Sequence, residues 1–321
     1  MSYLLSVVIP IYNEGTFVKD AIKRVSGVLL KANIKHEFVL IDDGSKDKSW
    51  DSIYELSSEY DNITAIKLSR NFGKESALCA GLDAVKGDCC IVMDADMQHP
   101  PEYIPEMYRL WKDDKFDVVE GVKSARPKES LMYKMGARLF YILLRKLGGI
   151  DLDNASDFRL MDKCVIDAWK KLPEKQTFFR AMSTWVGFNR TQIYFLVEPR
   201  TTGKTRWSLV RLTKLAANAI TSFSALPLYF VAFSGFICLI FFFVMFIQTL
   251  YMKISGNSSE GFPTIIILLL MIGSILMISL GILGLYTARI YEEVKCRPRY
   301  LVSKVIRNRK REEDGDLNGS D

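Results

Sequence analysis

The amino-acid sequence predicts an α/β domain with a mostly parallel sheet, followed by two membrane-spanning helices. Three observations support this fold class. Buried-strand patterns alternate with helical patterns through the first part of the chain, polar clusters follow several of these strands, and two long uncharged apolar segments lie near the C-terminus. Strand–helix alternation is typical of sheets covered by helices on both faces, and long uncharged segments are typical of membrane spans.

The alternation of strands and helices begins close to the N-terminus. Apolar runs predict strands at residues 4–11, 37–41, 63–68, 89–93 and 116–121, and helical patterns predict helices from residue 16, over 47–60 and over 74–86. Polar clusters follow three of the strands, at residues 12–14, 42–45 and 94–98. Because ligands of parallel sheets bind beyond the carboxyl ends of the strands, we expect these clusters to line one cleft.

The third polar cluster contains oxygen ligands for a cation. Asp94 and Asp96 stand one residue apart at the end of a predicted strand, Gln98 follows them, and Pro100-Pro101 stiffens the turn. Such ligands suit Mg²⁺ or Mn²⁺ that also holds a diphosphate. Taken alone, the pattern also fits an acidic, solvated turn.

Two apolar segments predict membrane-spanning helices at residues 225–247 and 264–288. Neither contains a charged residue, and each is long enough to cross about 30 Å of hydrocarbon as a helix. The alternative, a pair of core helices in a soluble protein, is rare for two such segments in a row. Lys and Arg flank the pair on its outer sides, whereas the link 248–263 holds only Lys253 and Glu260, so we expect an integral protein of the cytoplasmic membrane with both termini cytoplasmic.

The rest of the chain divides around these spans. Residues 1–205 form the predicted cytoplasmic domain, and residues 206–224 form a predicted amphipathic juxtamembrane helix. Residues 131–147 alternate apolar and basic residues at helical spacing, which fits either a membrane-surface helix or a core helix with a solvated basic face. Residues 289–321 are predicted to be a cytoplasmic basic tail whose end is disordered.

Charge and cysteine content exclude some partners. The net charge of +6 has its excess near the predicted spans, which favours anionic lipid headgroups and argues against nucleic acid as a partner. The six cysteines show no paired metal-binding spacing, and a reducing compartment argues against disulfides.

Five ordered sequence blocks carry a family resemblance: VVIPIYNE at 7–14, IDDGSKDKS at 41–49, LSRNFGKESAL at 68–78, DADMQHPPE at 94–102 and SDFRLMD at 156–162. They resemble the family 2 inverting glycosyltransferases of GT-A fold, a Rossmann-like architecture. The best match is the branch that loads a sugar onto a polyprenyl phosphate, such as the bactoprenol glucosyltransferases of O-antigen modification and dolichol-phosphate mannose synthase. The resemblance extends over nearly the whole chain, including both predicted spans.

The resemblance implies a role for each of several residues. The nucleoside is expected to contact Pro10, Tyr12, Glu14, Asp42 and Asp43. The metal and the diphosphate are expected to contact Asp94, Asp96 and Gln98. Asp157 stands at the position of a catalytic base. An acceptor phosphate is already largely ionised at neutral pH, so Asp157 is alternatively an orienting or electrostatic group. A purely structural pairing with Arg159 is a third interpretation.

Cations are also expected, because an anionic lipid that approaches an anionic donor is repelled by it. The candidates for binding the lipid phosphate and the diphosphate are Arg126, Lys204 and Arg206. Arg206 stands where the family usually has Lys, which replaces a point charge with a planar fork.

The expected reaction is inverting transfer of a hexose, with UDP-glucose favoured as donor, to undecaprenyl phosphate at the cytoplasmic membrane face. The product would be a β-linked sugar phospholipid, used later by a flippase and a second glycosyltransferase. Another donor (GDP-mannose, UDP-galactose or a UDP-N-acetylhexosamine) and a non-catalytic nucleotide-sugar-binding membrane anchor are the alternatives. A processive polysaccharide synthase is disfavoured because the Gln-x-x-Arg-Trp motif is absent from the sequence. Small residues in the second span, Gly273, Gly281 and Gly284, would permit a homo-oligomer.

Overall fold

A computed structural model of the chain describes residues 3–124, 155–175, 178–196, 226–255 and 261–307. The described residues fall into two compact units. The first contains the described residues up to 196 together with 297–307, and the second contains 226–255 and 261–296. The predicted amphipathic segments 131–147 and 206–224 and the tail end 308–321 lie outside the described residues.

The first unit is built on one eight-stranded sheet with the order β7-β5-β6-β4-β1-β2-β3-β8. The strands are β1 (Leu5–Ile11), β2 (His36–Asp42), β3 (Ile63–Leu68), β4 (Cys89–Val92), β5 (Val118–Lys123), β6 (Ala155–Asp162), β7 (Arg190–Phe195) and β8 (Val302–Ile306). β6 and β8 run antiparallel to their neighbours, and the other strands share one direction. The prediction of a mostly parallel sheet is confirmed.

Helices cover this sheet. They are α1 (Phe17–Lys31), α2 (Ser49–Glu59), α3 (Lys74–Ala84), α4 (Ile104–Lys112), α5 (Lys163–Lys170) and α6 (Phe179–Trp185). The first three match the helices predicted from the sequence. α1 buries Val18, Ile22, Val25 and Leu29, a helical spacing that turns one apolar stripe towards the core. α3 lies very close to the sheet, since a Cβ added to Gly81 would meet a side chain of β1 at 2.5 Å.

The central strands are apolar because both of their faces are covered. All four residues of β4 are buried, as are six of the seven residues of β1. This pattern is expected for parallel strands between two layers of helices. Because both faces of these strands are covered, neither face can expose polar side chains to solvent. The polar residues therefore follow the strands, at their carboxyl ends.

The second unit contains α7 (Leu226–Ile254) and α8 (Phe262–Val294). Both are long and apolar enough to cross a membrane, over Leu228–Met252 and Met271–Val294. None of either window is buried, in contrast to a core helix of a soluble protein. These helices agree with the predicted pair of spans, and their exposed apolar side chains are the kind that a bilayer would cover.

A strand appears where the sequence suggested only a basic tail. β8 follows α8 and pairs antiparallel with β3 at the edge of the sheet. Just before it, the Arg299 Nε donates a hydrogen bond to the Glu174 carbonyl at 2.8 Å, and the Tyr300 hydroxyl donates to Asp83 Oδ2 at 2.7 Å. The segment that follows the second apolar helix is therefore a structural part of the first unit.

The Arg299 contacts generate a stability prediction. Arg299→Ala removes hydrogen bonds from a charged donor to the carbonyls of Leu172 and Glu174, and we expect it to lower the free energy of unfolding by about 1–3 kcal/mol. Denaturant unfolding of the full chain in detergent measures this. Arg297→Ala is the matched control, since Arg297 is exposed on the same segment, and equal losses in both variants would contradict the assigned role of Arg299.

Candidate active site

Two loops at the carboxyl ends of β1 and β2 are joined by hydrogen bonds. The backbone N–H of Asn13 donates to Ser45 Oγ at 3.0 Å, and that of Glu14 donates to Ser49 Oγ at 2.9 Å. The Asn13 side-chain oxygen in turn accepts from the N–H of Lys46 at 3.0 Å. Asn13 has a φ of 55°, a left-handed conformation that asparagine tolerates better than most residues. The first two predicted polar clusters thus form one surface.

The residues predicted to contact the nucleoside lie on or beside this surface, but they differ in accessibility. Tyr12 is 43% exposed, Pro10 and Glu14 are half-buried, and both aspartates are buried. Asp43 uses both carboxylate oxygens on the chain itself, accepting from the backbone N–H groups of Phe72 and Gly73 at 2.7 and 2.9 Å. Its visible role is to hold the loop that leads into α3.

Asp42 is arranged differently from its neighbour. One oxygen accepts from the Ser45 backbone N–H at 3.1 Å, and the other is buried with no hydrogen-bond partner among the described residues. Burial raises the pKa of Asp42, although the hydrogen bonds from Ser45 act in the opposite direction. A buried acceptor without a donor is costly unless a ligand supplies one. Asp42 therefore has a buried oxygen that lacks a donor among the described residues, whereas each oxygen of Asp43 already accepts one backbone hydrogen bond.

The predicted metal-binding pair follows β4. Asp94 and Asp96 are both half-buried, and Asp96 Oδ1 accepts from the backbone N–H of Gln98 at 3.1 Å. His99 supports this turn from inside: its Nδ1 accepts from the Asp94 backbone N–H at 3.2 Å, and its ring stacks on Phe158 with centroids 5.2 Å apart. His99 is 2% exposed, so its contribution is to shape the turn.

The chemistry of this pair fits a hard divalent cation. No group of three or more His, Cys, Asp or Glu side chains is arranged to hold a metal within the described part of the chain. Mg²⁺ sites that serve phosphate substrates commonly use only one or two protein carboxylates and take their other ligands from phosphate and water. The Lys74 ammonium lies 2.5 Å from Asp94 Oδ1, so this carboxylate already faces a cation. Asp94, Asp96 and the Gln98 amide are the residues that would hold Mg²⁺ or Mn²⁺.

Asp157 lies beside Asp94 because of the register between β4 and β6. Val92 pairs with Arg159 in this antiparallel ladder, and the same register continued by two residues places Asp94 opposite Asp157. Two carboxylates directly across a strand pair repel each other. The Lys74 ammonium offsets this repulsion, since it also donates to Asp157 Oδ2 at 2.6 Å.

A second cation holds Asp157. The Arg180 guanidinium donates through Nε to Oδ1 at 2.7 Å and through Nη2 to Oδ2 at 3.1 Å. Burial alone would raise the pKa of Asp157, but Lys74 and Arg180 outweigh it and hold the pKa of this carboxyl far below its ordinary value. Arg159, the partner considered from the sequence, is fully buried and pairs with Glu120 at 3.5 Å instead. In this arrangement Asp157 is an ionised anchor for two cations.

Three cations of the site were given no role from the sequence. Lys74 lies within the block 68–78, and its place at the start of a helix after a strand was the signal that could have identified it. Lys123 ends β5. Burial and the charge of Arg180 hold the pKa of Lys123 below its ordinary value, although Asp94 and Asp96 act in the opposite direction. Arg180 is in a segment without any recognisable motif. The predicted cations Arg126, Lys204 and Arg206 lie outside the described residues.

Comparison with known proteins identifies the family. Residues 6–169 match the family described as Glycosyl transferase family 2. The chain belongs to this family. An uncharacterized glycosyltransferase of Synechocystis is 37% identical to this glycosyltransferase over 95% of the chain and 96% of the relative. A bactoprenol glucosyl transferase derived from the SfII prophage of Shigella flexneri is 34% identical, covering 94% of this chain and 98% of the relative.

A solved structure supports the fold of this family 2 glycosyltransferase. Glucosyl-3-phosphoglycerate synthase from Mycobacterium tuberculosis, in complex with Mn²⁺, UDP-glucose and phosphoglyceric acid, superposes with a TM-score of 0.50 at 19% identity. The match covers 68% of this chain and 78% of the synthase. The GT-A fold expected from the sequence blocks is thereby confirmed.

The contacts of Asp43 predict a loss of stability on a nearly isosteric change. Asp43→Asn places an amide NH₂ where one of the backbone N–H groups of Phe72 and Gly73 requires an acceptor, and we expect the free energy of unfolding to fall by about 1–3 kcal/mol. Urea unfolding is the measurement. Asp167→Asn, at an exposed position of α5, is the control and should change stability by less than about 0.5 kcal/mol. An Asp43→Asn variant as stable as this control would refute the loop-holding role.

Proposed function

We propose that this glycosyltransferase transfers a hexose, glucose from UDP-glucose in the first place, to undecaprenyl phosphate at the cytoplasmic face of the membrane. The observation that carries this proposal is similarity along the whole chain to proteins named bactoprenol glucosyl transferases, at 34% identity over 94% of the chain for the Shigella relative. A prophage bactoprenol glucosyl transferase homolog of Escherichia coli K12 is similar over 94% of this chain at 33% identity. An alignment over 94% of the chain includes the two apolar helices, which would hold the enzyme beside a membrane-lipid acceptor.

The donor would bind beyond β1, β2 and β4. The buried oxygen of Asp42 is suited to accept a hydrogen bond from a nucleoside N–H or a ribose hydroxyl, with Tyr12 exposed nearby on the same surface. Asp94 and Asp96 would hold the divalent ion together with the donor diphosphate. When bound, that ion supplies Lewis-acid stabilisation of the departing nucleoside diphosphate. Asp43 contributes by fixing the loop between β3 and α3.

The acceptor would approach the cationic side of the site. A phosphate monoester is largely ionised at neutral pH, so its oxygen needs no proton removed before it attacks the anomeric carbon. Asp157, with both oxygens on cations, is suited to fix Lys74 and Arg180 where they screen two anionic substrates from each other. Attack opposite the nucleotide would invert the anomeric centre and give a β-linked product. The ionised acceptor and the two ion pairs of Asp157 favour an electrostatic role for this residue over the role of a base.

The membrane helices would keep the acceptor within reach. The basic residues that flank the apolar helices favour cytoplasmic placement of the catalytic unit and of both termini. A long polyprenyl chain then stays in the bilayer while its phosphate reaches the site. The lipid-linked sugar would form on the cytoplasmic side, and a flippase and a second glycosyltransferase would then act after this enzyme.

A non-catalytic anchor that binds nucleotide sugars is the second candidate. The compact network of Asp94, Asp157 and their cations argues against it, because a binding protein has no need to hold two carboxylates against each other.

A transfer assay tests the reaction. Purified full-length protein in detergent receives undecaprenyl phosphate and labelled UDP-glucose, GDP-mannose, UDP-galactose or UDP-N-acetylglucosamine, and label that partitions into organic solvent is counted. We expect label from UDP-glucose, loss of transfer with EDTA, and recovery with excess Mg²⁺ or Mn²⁺. If no donor yields lipid-soluble label while UDP still binds, the proposed reaction is wrong and the anchor becomes the better interpretation.

Asp157→Asn tests the electrostatic role within the same assay. The amide leaves Lys74 and Arg180 without their shared anion, and we expect kcat to fall by about 10²–10³-fold with little change in the KM for UDP-glucose. Asp167→Asn is the exposed control and should keep full activity. An Asp157→Asn variant with normal kcat would remove Asp157 from the mechanism.

A further inference from the structure

We propose that Glu75 is a positioning residue that ties α3 to α6 and so keeps Arg180 on Asp157. This inference rests on the glycosyl transfer proposed above, because it assigns Glu75 to the rate of that reaction. Glu75 is the second residue of α3, and its side chain extends to the start of α6. Its side chain accepts a hydrogen bond from the backbone N–H of Phe179 at 2.7 Å.

This hydrogen bond caps a helix from outside. Phe179 is the first residue of α6, and the first N–H groups of a helix have no acceptor within the helix itself. The residue at the N-cap position, Phe178, provides no side-chain cap. The Glu75 side chain supplies the missing acceptor oxygen. The start of α6 is thus fastened to the start of α3.

The two fastened points adjoin the two cations of Asp157. Lys74 precedes Glu75 directly, and Arg180 follows Phe179 directly. Both cations contact the Asp157 carboxylate, so the Glu75 hydrogen bond closes a ring that joins α3, α6 and β6. A shift of the first turn of α6 would move the guanidinium away from the carboxylate while Lys74 stayed in place.

The rest of α6 has a separate attachment. Ser183, in the second turn of α6, accepts a hydrogen bond from the buried Arg159 of β6. Loss of Glu75 should therefore loosen the first turn of α6 and leave the helix folded. Burial raises the pKa of Glu75 to about 7, while the Phe179 N–H, Lys74 and Arg180 act to lower it. A carboxyl in such a place is costly to the fold, which argues that its acceptor oxygen has a use beyond packing.

A double-mutant cycle on the full-length enzyme tests this role, using the transfer assay above. We expect Glu75→Ala to lower kcat about 10- to 100-fold with the KM for UDP-glucose changed by less than about threefold, since the group acts on geometry and not on donor binding. Glu75→Gln should restore most of the rate, because the amide oxygen can accept the same hydrogen bond. The double variant Glu75→Ala/Arg180→Ala should be no slower than Arg180→Ala alone, as expected when one residue acts through the other.

Hydrogen–deuterium exchange gives a readout that does not depend on activity. The peptide that contains residues 179–185 should exchange faster in Glu75→Ala than in the wild type, and Glu75→Gln should resemble the wild type. Glu106→Ala is the matched control, because Glu106 is an exposed carboxylate in the first turn of α4 and should alter neither rate nor exchange.

The outcomes separate this inference from the proposed function. A normal kcat in Glu75→Ala, fully additive losses in the double variant, or equal damage from Gln and Ala would each overturn the positioning role while wild-type transfer still stood. If the wild type transfers no sugar, the proposed function fails. Exchange in 179–185 then decides the tether by itself, and unchanged exchange in Glu75→Ala overturns it.

Discussion

The site depends on one cation held between two carboxylates. β4 and β6 are antiparallel neighbours, and their register brings Asp94 and Asp157 to opposite positions, where like charges repel. Lys74 lies within 2.6 Å of an oxygen of each and offsets that repulsion. Its position requires α3 to begin at the carboxyl edge of the sheet. The α3 start, the Asp43 contacts that hold the preceding loop, and the turn after β4 are therefore parts of one electrostatic arrangement.

The same arrangement explains why the protein would be suited to join two anions. A nucleotide sugar and a lipid phosphate both carry negative charge, and Coulomb repulsion between them must be screened at short range. Described cations at the site come from three elements, with Lys74 on α3, Lys123 at the end of β5 and Arg180 on α6. Asp157 keeps two of them in place and remains ionised because they do so. The carboxylates and the cations of the site therefore neutralise each other, and removing one of them leaves its partners with less opposite charge nearby.

The chain also uses its C-terminal segment to complete the catalytic unit. β8 follows the second apolar helix and occupies the edge of the sheet beside β3. Arg299 and Tyr300 fasten the same segment to backbone near α5 and to α3. β8 supplies hydrogen-bond partners for the outer side of β3 and becomes the edge strand of the sheet itself. The described polypeptide that follows the second apolar helix thus belongs to the fold of the first unit.

The sequence by itself determined the class of fold, the family and the carboxylates after β4. These properties depend on local patterns, namely strand–helix alternation, uncharged apolar segments and short ordered motifs. Each of these patterns can be recognised without knowing which residues are in contact. It did not distinguish Asp42 from Asp43, and it assigned neither Lys74 nor Arg180. Only the tertiary structure decided that both oxygens of Asp43 accept hydrogen bonds from the backbone of the loop before α3. It likewise decided that Asp157 is paired with these two cations. The physical reason is that hydrogen bonds and ion pairs between residues 23 to 83 positions apart are set by strand register and helix packing, which leave no periodic trace in the sequence.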